Sequence, residues 1–160
     1  MSDRDKVVER LWVFDLDGIL METGELYERA LKGMARIILG IFGNSVSDQE
    51  VMTVQSEIDK AMLREINPDN GEPYLFHRSR FPLSLVRTYK FFCRKLGKKF
   101  IKSIAWRLSK IGSSVFDESE YESIVRSYVL LLFKFLKGKG DIIIILTKGA
   151  DDVQFGKKKF

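Results

Sequence analysis

The chain has 160 residues, 45% of them hydrophobic, with 27 Lys and Arg against 22 Asp and Glu for a net charge of +5. That length fits one domain, or a small core with an insertion. The longest apolar run, around residues 129–136, is interrupted by Lys134 and is too short to span a bilayer, and the N-terminal MSDRDKVVER is too charged for a secretory signal. The single cysteine, Cys93, cannot form an internal disulfide, so a reducing, cytoplasmic setting is expected. The basic balance favours anionic partners, a condition that a phosphorylated metabolite meets as well as a nucleic acid does.

The elements follow in order. Residues 11–14, LWVF, form an apolar run of strand length that ends in Asp15, Asp17 and Gly18. From Leu26 the apolar residues recur at three and four, predicting a helix over 24–42 closed by Gly43. Ser47 and Glu50 form a capping-box pair ahead of a second helix with Val51, Val54, Ile58, Met62 and Ile66 on its apolar face. Residues 67–81 carry two prolines and no period, and read as a loop. Pro82 suits the first turn of a helix through Leu96, a further helix is expected over 99–111, and a last long one from Asp117 to about Lys137. GKGD, residues 138–141, reads as a turn. IIIIL, residues 142–146, is a β-branched strand closed by Thr147, Lys148 and Gly149, and the last eleven residues resemble a helix start. Both strands read as buried, so each expects partners on two sides, and two strands alone make an unfinished sheet.

Two carboxylates at the carboxyl end of a buried parallel strand stand where open α/β sheets bind ligands. They repel each other unless a cation or a shared proton relieves them, and a hard cation with oxygen ligands such as Mg²⁺ is the natural companion. Gly18 lets the chain turn away.

FDLDGIL resembles the first signature of the haloacid dehalogenase-like (HAD) hydrolase superfamily: Asp15, Asp17, Gly18 and Leu20 match, and Ile19 replaces the usual Thr or Val. IIIILT, ending in Thr147, is similar to the second signature, and TKGADDVQ to its continuation in a branch with a helical cap after the first strand. The resemblance implies an α/β fold, a partial HAD-like (Rossmannoid) parallel sheet with a large α-helical cap insertion. It divides the chain into a first core strand and catalytic turn (1–20), a cap (21–138) and a second core strand with the start of a helix (139–160). It further implies that Asp15 is a nucleophile forming an aspartyl-phosphate and Asp17 the general acid and base, that Asp15 and the Asp17 carbonyl hold Mg²⁺, and that Thr147 and the Lys148 N–H bind the substrate phosphate.

A third signature, supplying a lysine, and a fourth, supplying acids for the metal, normally lie beyond the second. Lys157, Lys158 and Lys159 follow Thr147 too soon to take the lysine role, and Asp151 and Asp152 follow the wrong strand for the metal role. The expected chain is therefore C-terminally incomplete: a truncated hydrolase in the favoured reading, otherwise half of a split hydrolase or a non-catalytic helical binding or assembly module. An open edge on the first strand invites self-association. The clusters Arg94–Lys95, Lys98–Lys99 and Lys157–Lys159 read as solvated helix faces and a loose terminus rather than a nucleic-acid surface, and no membrane partner is implied. His77, Arg78 and Arg80 read as a solvated loop in preference to one reaching the leaving group. Phe91, Phe92, Phe100 and Trp106 read as core packing.

Overall fold

A computed structural model describes residues 10–149, 153, 154 and 157. Strand β1 (Leu11–Asp15) is followed by helices α1 (Thr23–Phe42), α2 (Asp48–Met62), α3 (Arg80–Lys95), α4 (Lys102–Ser113), α5 (Tyr121–Ile124) and α6 (Tyr128–Gly138), and then by strand β2 (Ile142–Leu146). The two strands pair in parallel, Leu11 opposite Ile142 and Asp15 opposite Leu146. A parallel pair requires a long crossover, and helices α1 to α6 lie within it.

The helices form as their periodicity dictates. Leu26, Ala30, Met34 and Ile38 of α1 are buried against Leu85, Tyr89 and Phe92 of α3 and Leu108 of α4 in one cluster. The Ser47 hydroxyl accepts from the Glu50 N–H at 3.1 Å and starts α2 as the capping pair requires. That helix stops at Met62, four residues short of the expected Ile66, which is 60% exposed. The residues after Met62 turn back: the Tyr74 N–H donates to Glu65 O at 2.9 Å and the Leu75 N–H to Leu63 O at 3.3 Å. α3 and α4 cross closely at Gly112, where a Cβ would meet the Pro82 Cα at 2.5 Å.

Three expectations are corrected. The single long helix over 117–137 is broken. Val125 is extended (φ −68°, ψ 127°), because residues 124–126 leave the helix to bond with residues 20–22. Nor are the strands buried on both faces. Trp12 and Phe14, with Ile143 and Ile145, form the face toward α6, where the Phe14 and Phe133 rings lie 5.6 Å apart. On the opposite face Leu11, Val13, Ile142, Ile144 and Leu146 are exposed. Trp106, expected in the core, is 64% exposed with Lys110 over its ring, and Phe91 is also exposed. Val7, Val8, Asp151, Asp152, Lys158 and Lys159 lie outside the described residues.

Asp141 fastens the start of β2 to the start of β1. Its carboxylate accepts from Arg10 Nε (3.1 Å) and Nη2 (3.0 Å) and from Trp12 Nε1 (2.9 Å). These bonds, the Arg10 side chain's foremost, hold the Asp141 carboxyl below the usual carboxylate range against the opposing effect of burial. The register that results brings the far ends of the strands together.

Candidate functional site

At those ends, Asp15 closes β1 opposite Leu146, and Thr147 follows β2 directly. The Leu16 N–H continues the ladder to Leu146 O at 3.1 Å, so Asp15, Asp17 and Thr147 share the carboxyl edge of the sheet. Beyond Asp17 the chain reverses at Gly18, whose φ of +78° is one that L side chains rarely adopt. The Gly18 N–H donates to Met21 O at 2.8 Å, and the N–H groups of Leu20 and Met21 donate to Leu16 O at 3.1 and 3.0 Å. Asp15 is exposed and Asp17 half-buried, while Leu16 and Leu20 between and after them are buried and anchor the turn.

Thr147 and Asp17 each meet a residue from the segment after β2, which is helical at Val153, Gln154 and Lys157. The Thr147 hydroxyl donates to Gln154 Oε1 at 2.6 Å. Lys157 Nζ lies 2.5 Å from Asp17 Oδ1, and its side chain is only 8% exposed. Lys157 also lines a small apolar cavity with Leu16, Leu20, Met21 and Phe133. Lys157, expected in a loose terminus, is thus a cation paired with the second of the two aspartates. Gln154 and Lys157 stand three apart in the sequence, the spacing at which two residues of one helix share a face.

The helical layer reaches the same place. Lys148 Nζ sits over the Phe76 ring, 5.0 Å from its centroid, so loop 67–79 touches the residue after Thr147. In that loop His77 Nδ1 is 2.7 Å from the Ser79 hydroxyl, so His77 is engaged within its own turn. Burial pushes the Tyr27 hydroxyl up, with the Asp17 charge adding to the effect and Arg80 opposing it. Tyr121 is pushed up to about 12, by burial first and then by Tyr27, Glu118 and Asp17, against Arg78. Both phenols therefore stay neutral donors near Asp17 at ordinary pH.

For a hard cation the available oxygen donors are the Asp15 carboxylate and the Asp17 backbone carbonyl. Among the described residues no three His, Cys, Asp or Glu side chains gather into a metal-holding group. Hard oxygen donors of this kind are the type Mg²⁺ takes, and an ion held by so few of them would fill the rest of its shell with water.

The two parallel strands and the helical crossover between them form a mixed α/β fold that matches a haloacid dehalogenase-like structural neighbour. The chain is similar to a haloacid dehalogenase-like family hydrolase from Xanthomonas campestris, with a TM-score of 0.65 and 17% identity over 99% of this chain and 59% of that one. This chain thus spans less than two thirds of the length of that neighbour. No protein-family model matches the chain, and no curated protein matches it. Among the described residues no helix is long and apolar enough to cross a membrane.

Proposed function

We propose that the protein is a Mg²⁺-dependent phosphohydrolase of the cytosol, acting on a small phosphorylated metabolite through an aspartyl-phosphate. The observation that carries this reading is the meeting of Asp15, Asp17 and Thr147 at one edge of a parallel sheet, with a nearly buried lysine on Asp17. An Asp15 oxygen attacks phosphorus, a new P–O bond forms, and the bond to the leaving oxygen breaks. Asp17 protonates that leaving oxygen and then, as a carboxylate, takes a proton from the water that hydrolyses the aspartyl-phosphate. Thr147 donates to a phosphate oxygen once its hydroxyl turns from Gln154, and the Lys148 N–H donates beside it. Lys157, released from Asp17 when Asp17 is protonated, directs its ammonium at the phosphate. Mg²⁺, held by the Asp15 carboxylate and the Asp17 carbonyl, would offset phosphate charge as the anionic nucleophile approaches. Release of inorganic phosphate from an aryl phosphate, with and without Mg²⁺, tests the reading. Turnover present in the wild type and lost in Asp15→Asn supports it, and equal rates in both proteins refute it.

A second reading, a helical assembly module that self-associates through the sheet, is favoured by the bare face of Leu11, Val13, Ile142, Ile144 and Leu146. Light scattering over a range of concentrations decides it. Self-association that Val13→Lys abolishes supports this reading, and a monomer at every concentration removes it.

A further inference from the structure

The turn that carries Asp17 is gripped from outside by the segment that leads from α5 into α6. Three consecutive carbonyls of the turn have donors there: Gly18 O accepts from Arg126 Nη2 at 3.0 Å, Ile19 O from the Tyr128 hydroxyl at 3.0 Å, and Leu20 O from the Arg126 N–H at 3.0 Å. The Glu22 N–H completes the pairing by donating to Ile124 O at 2.8 Å, and Met21 and Val125 form an antiparallel bridge. Arg126 Nη2 also pairs with Glu22 Oε1 at 2.6 Å, so one guanidinium joins the Gly18 carbonyl to the carboxylate at the exit of the turn.

This grip bears on the chemistry through the two peptide planes that flank Gly18. In the trans peptide between Asp17 and Gly18, the N–H and the Asp17 carbonyl point to opposite sides. Because that N–H is committed to Met21 O, the direction of the Asp17 carbonyl is fixed. The next plane is fixed by Arg126 on Gly18 O. A glycine at φ +78° has no side chain to restrict it, so these external bonds are what remove its freedom. The grip also joins the two crossings between sheet and helical layer, residues 18–22 on the way out and 124–128 on the way back.

We propose that Arg126 and Tyr128 are positioning residues that hold the Asp17–Gly18 turn, and with it the Asp17 carboxylate and carbonyl, in register with Asp15. The effect on turnover rests on the phosphohydrolase reading, whereas the effect on the turn does not. Amide hydrogen exchange is measured on the wild type, Arg126→Gln, Arg126→Lys and Tyr128→Phe, together with steady-state hydrolysis of an aryl phosphate with Mg²⁺. In Arg126→Gln, exchange at Gly18, Leu20 and Met21 rises about tenfold or more while that at Leu85 and Tyr89 in α3 stays unchanged. In the same variant kcat falls about tenfold or more with KM nearly constant, because a displaced group is felt in the transition state. Arg126→Lys recovers part of both effects, and Tyr128→Phe, whose side chain is half exposed and whose loss threatens folding least, shows the same pattern more weakly. Unchanged exchange in the turn overturns the proposal, as does a rise shared equally by α3, which would mark a general structural role. A wild type without turnover would refute the phosphohydrolase reading and leave the exchange result to decide the clamp.

Discussion

Lys157 Nζ lies 2.5 Å from Asp17 Oδ1, although 140 residues separate them in the chain. Two carboxylates two residues apart at a strand end call for a cation, and the chain supplies one from its own last segment. Replacing Lys157 by Met keeps the apolar stem and removes the charge. Because Asp17 is one-third exposed, water takes up part of the loss, and the variant is expected to lose about 1 kcal/mol of stability. Under the proposed activity it also raises KM for an aryl phosphate. Urea denaturation and steady-state kinetics check both, and wild-type values in the two assays would make the pair incidental.

Asp141 provides the pH dependence. Its folded carboxyl is held below the ordinary value of 3.8, chiefly by the Arg10 side chain. A depressed carboxyl adds stability that is fully present above the unfolded value and is lost as pH falls through the folded one. Thermal stability should therefore drop below about pH 4 in the wild type. Asp141→Asn should melt lower at neutral pH and show a shallower acid dependence. Identical acid profiles for the two proteins would contradict the staple.

Gly112→Ala tests the packing of α3 on α4. The new methyl would lie 2.5 Å from the Pro82 Cα, a backbone atom that cannot swing aside. A destabilisation of about 1–3 kcal/mol is expected from urea denaturation. Gly40→Ala, with nothing near its added methyl, is the control and should be neutral or stabilising.

Tyr121, pushed up to about 12, should ionise late in an ultraviolet titration. Because the folded state keeps this proton, stability falls as pH rises from the ordinary tyrosine value of 10.0 toward 12. Tyr121→Phe should remove one late-ionising phenol, and an unchanged titration curve would show that another group is responsible.

Much of this fold could be read from local signals. The 3.6-residue period placed α1, the Ser47–Glu50 pair placed the start of α2, and the β-branched run placed β2. The placement of Asp15, Asp17 and Thr147 at the strand ends was legible, because each follows or closes an apolar run of strand length. Arg126 was not, because it sat inside what read as one continuous helix, and only the pairing of residues 124–126 with residues 20–22 breaks that helix. Lys157 was hidden because its partner is fixed by strand register, which Asp141 sets from the opposite end of the sheet. The bare sheet face was missed because apolar composition predicts a wish for burial, and a strand of this kind reads the same with or without a neighbour to cover it.

Trapping a phosphorylated Asp15 tests the proposed nucleophile most directly. The protein is mixed with an aryl phosphate and Mg²⁺, quenched with borohydride, which reduces an acyl phosphate to an alcohol, digested and mapped by mass spectrometry. Homoserine is expected at position 15 and not at position 17, with the signal absent from Asp15→Asn. Reduction at Asp17, or turnover with no modification at Asp15, would contradict it.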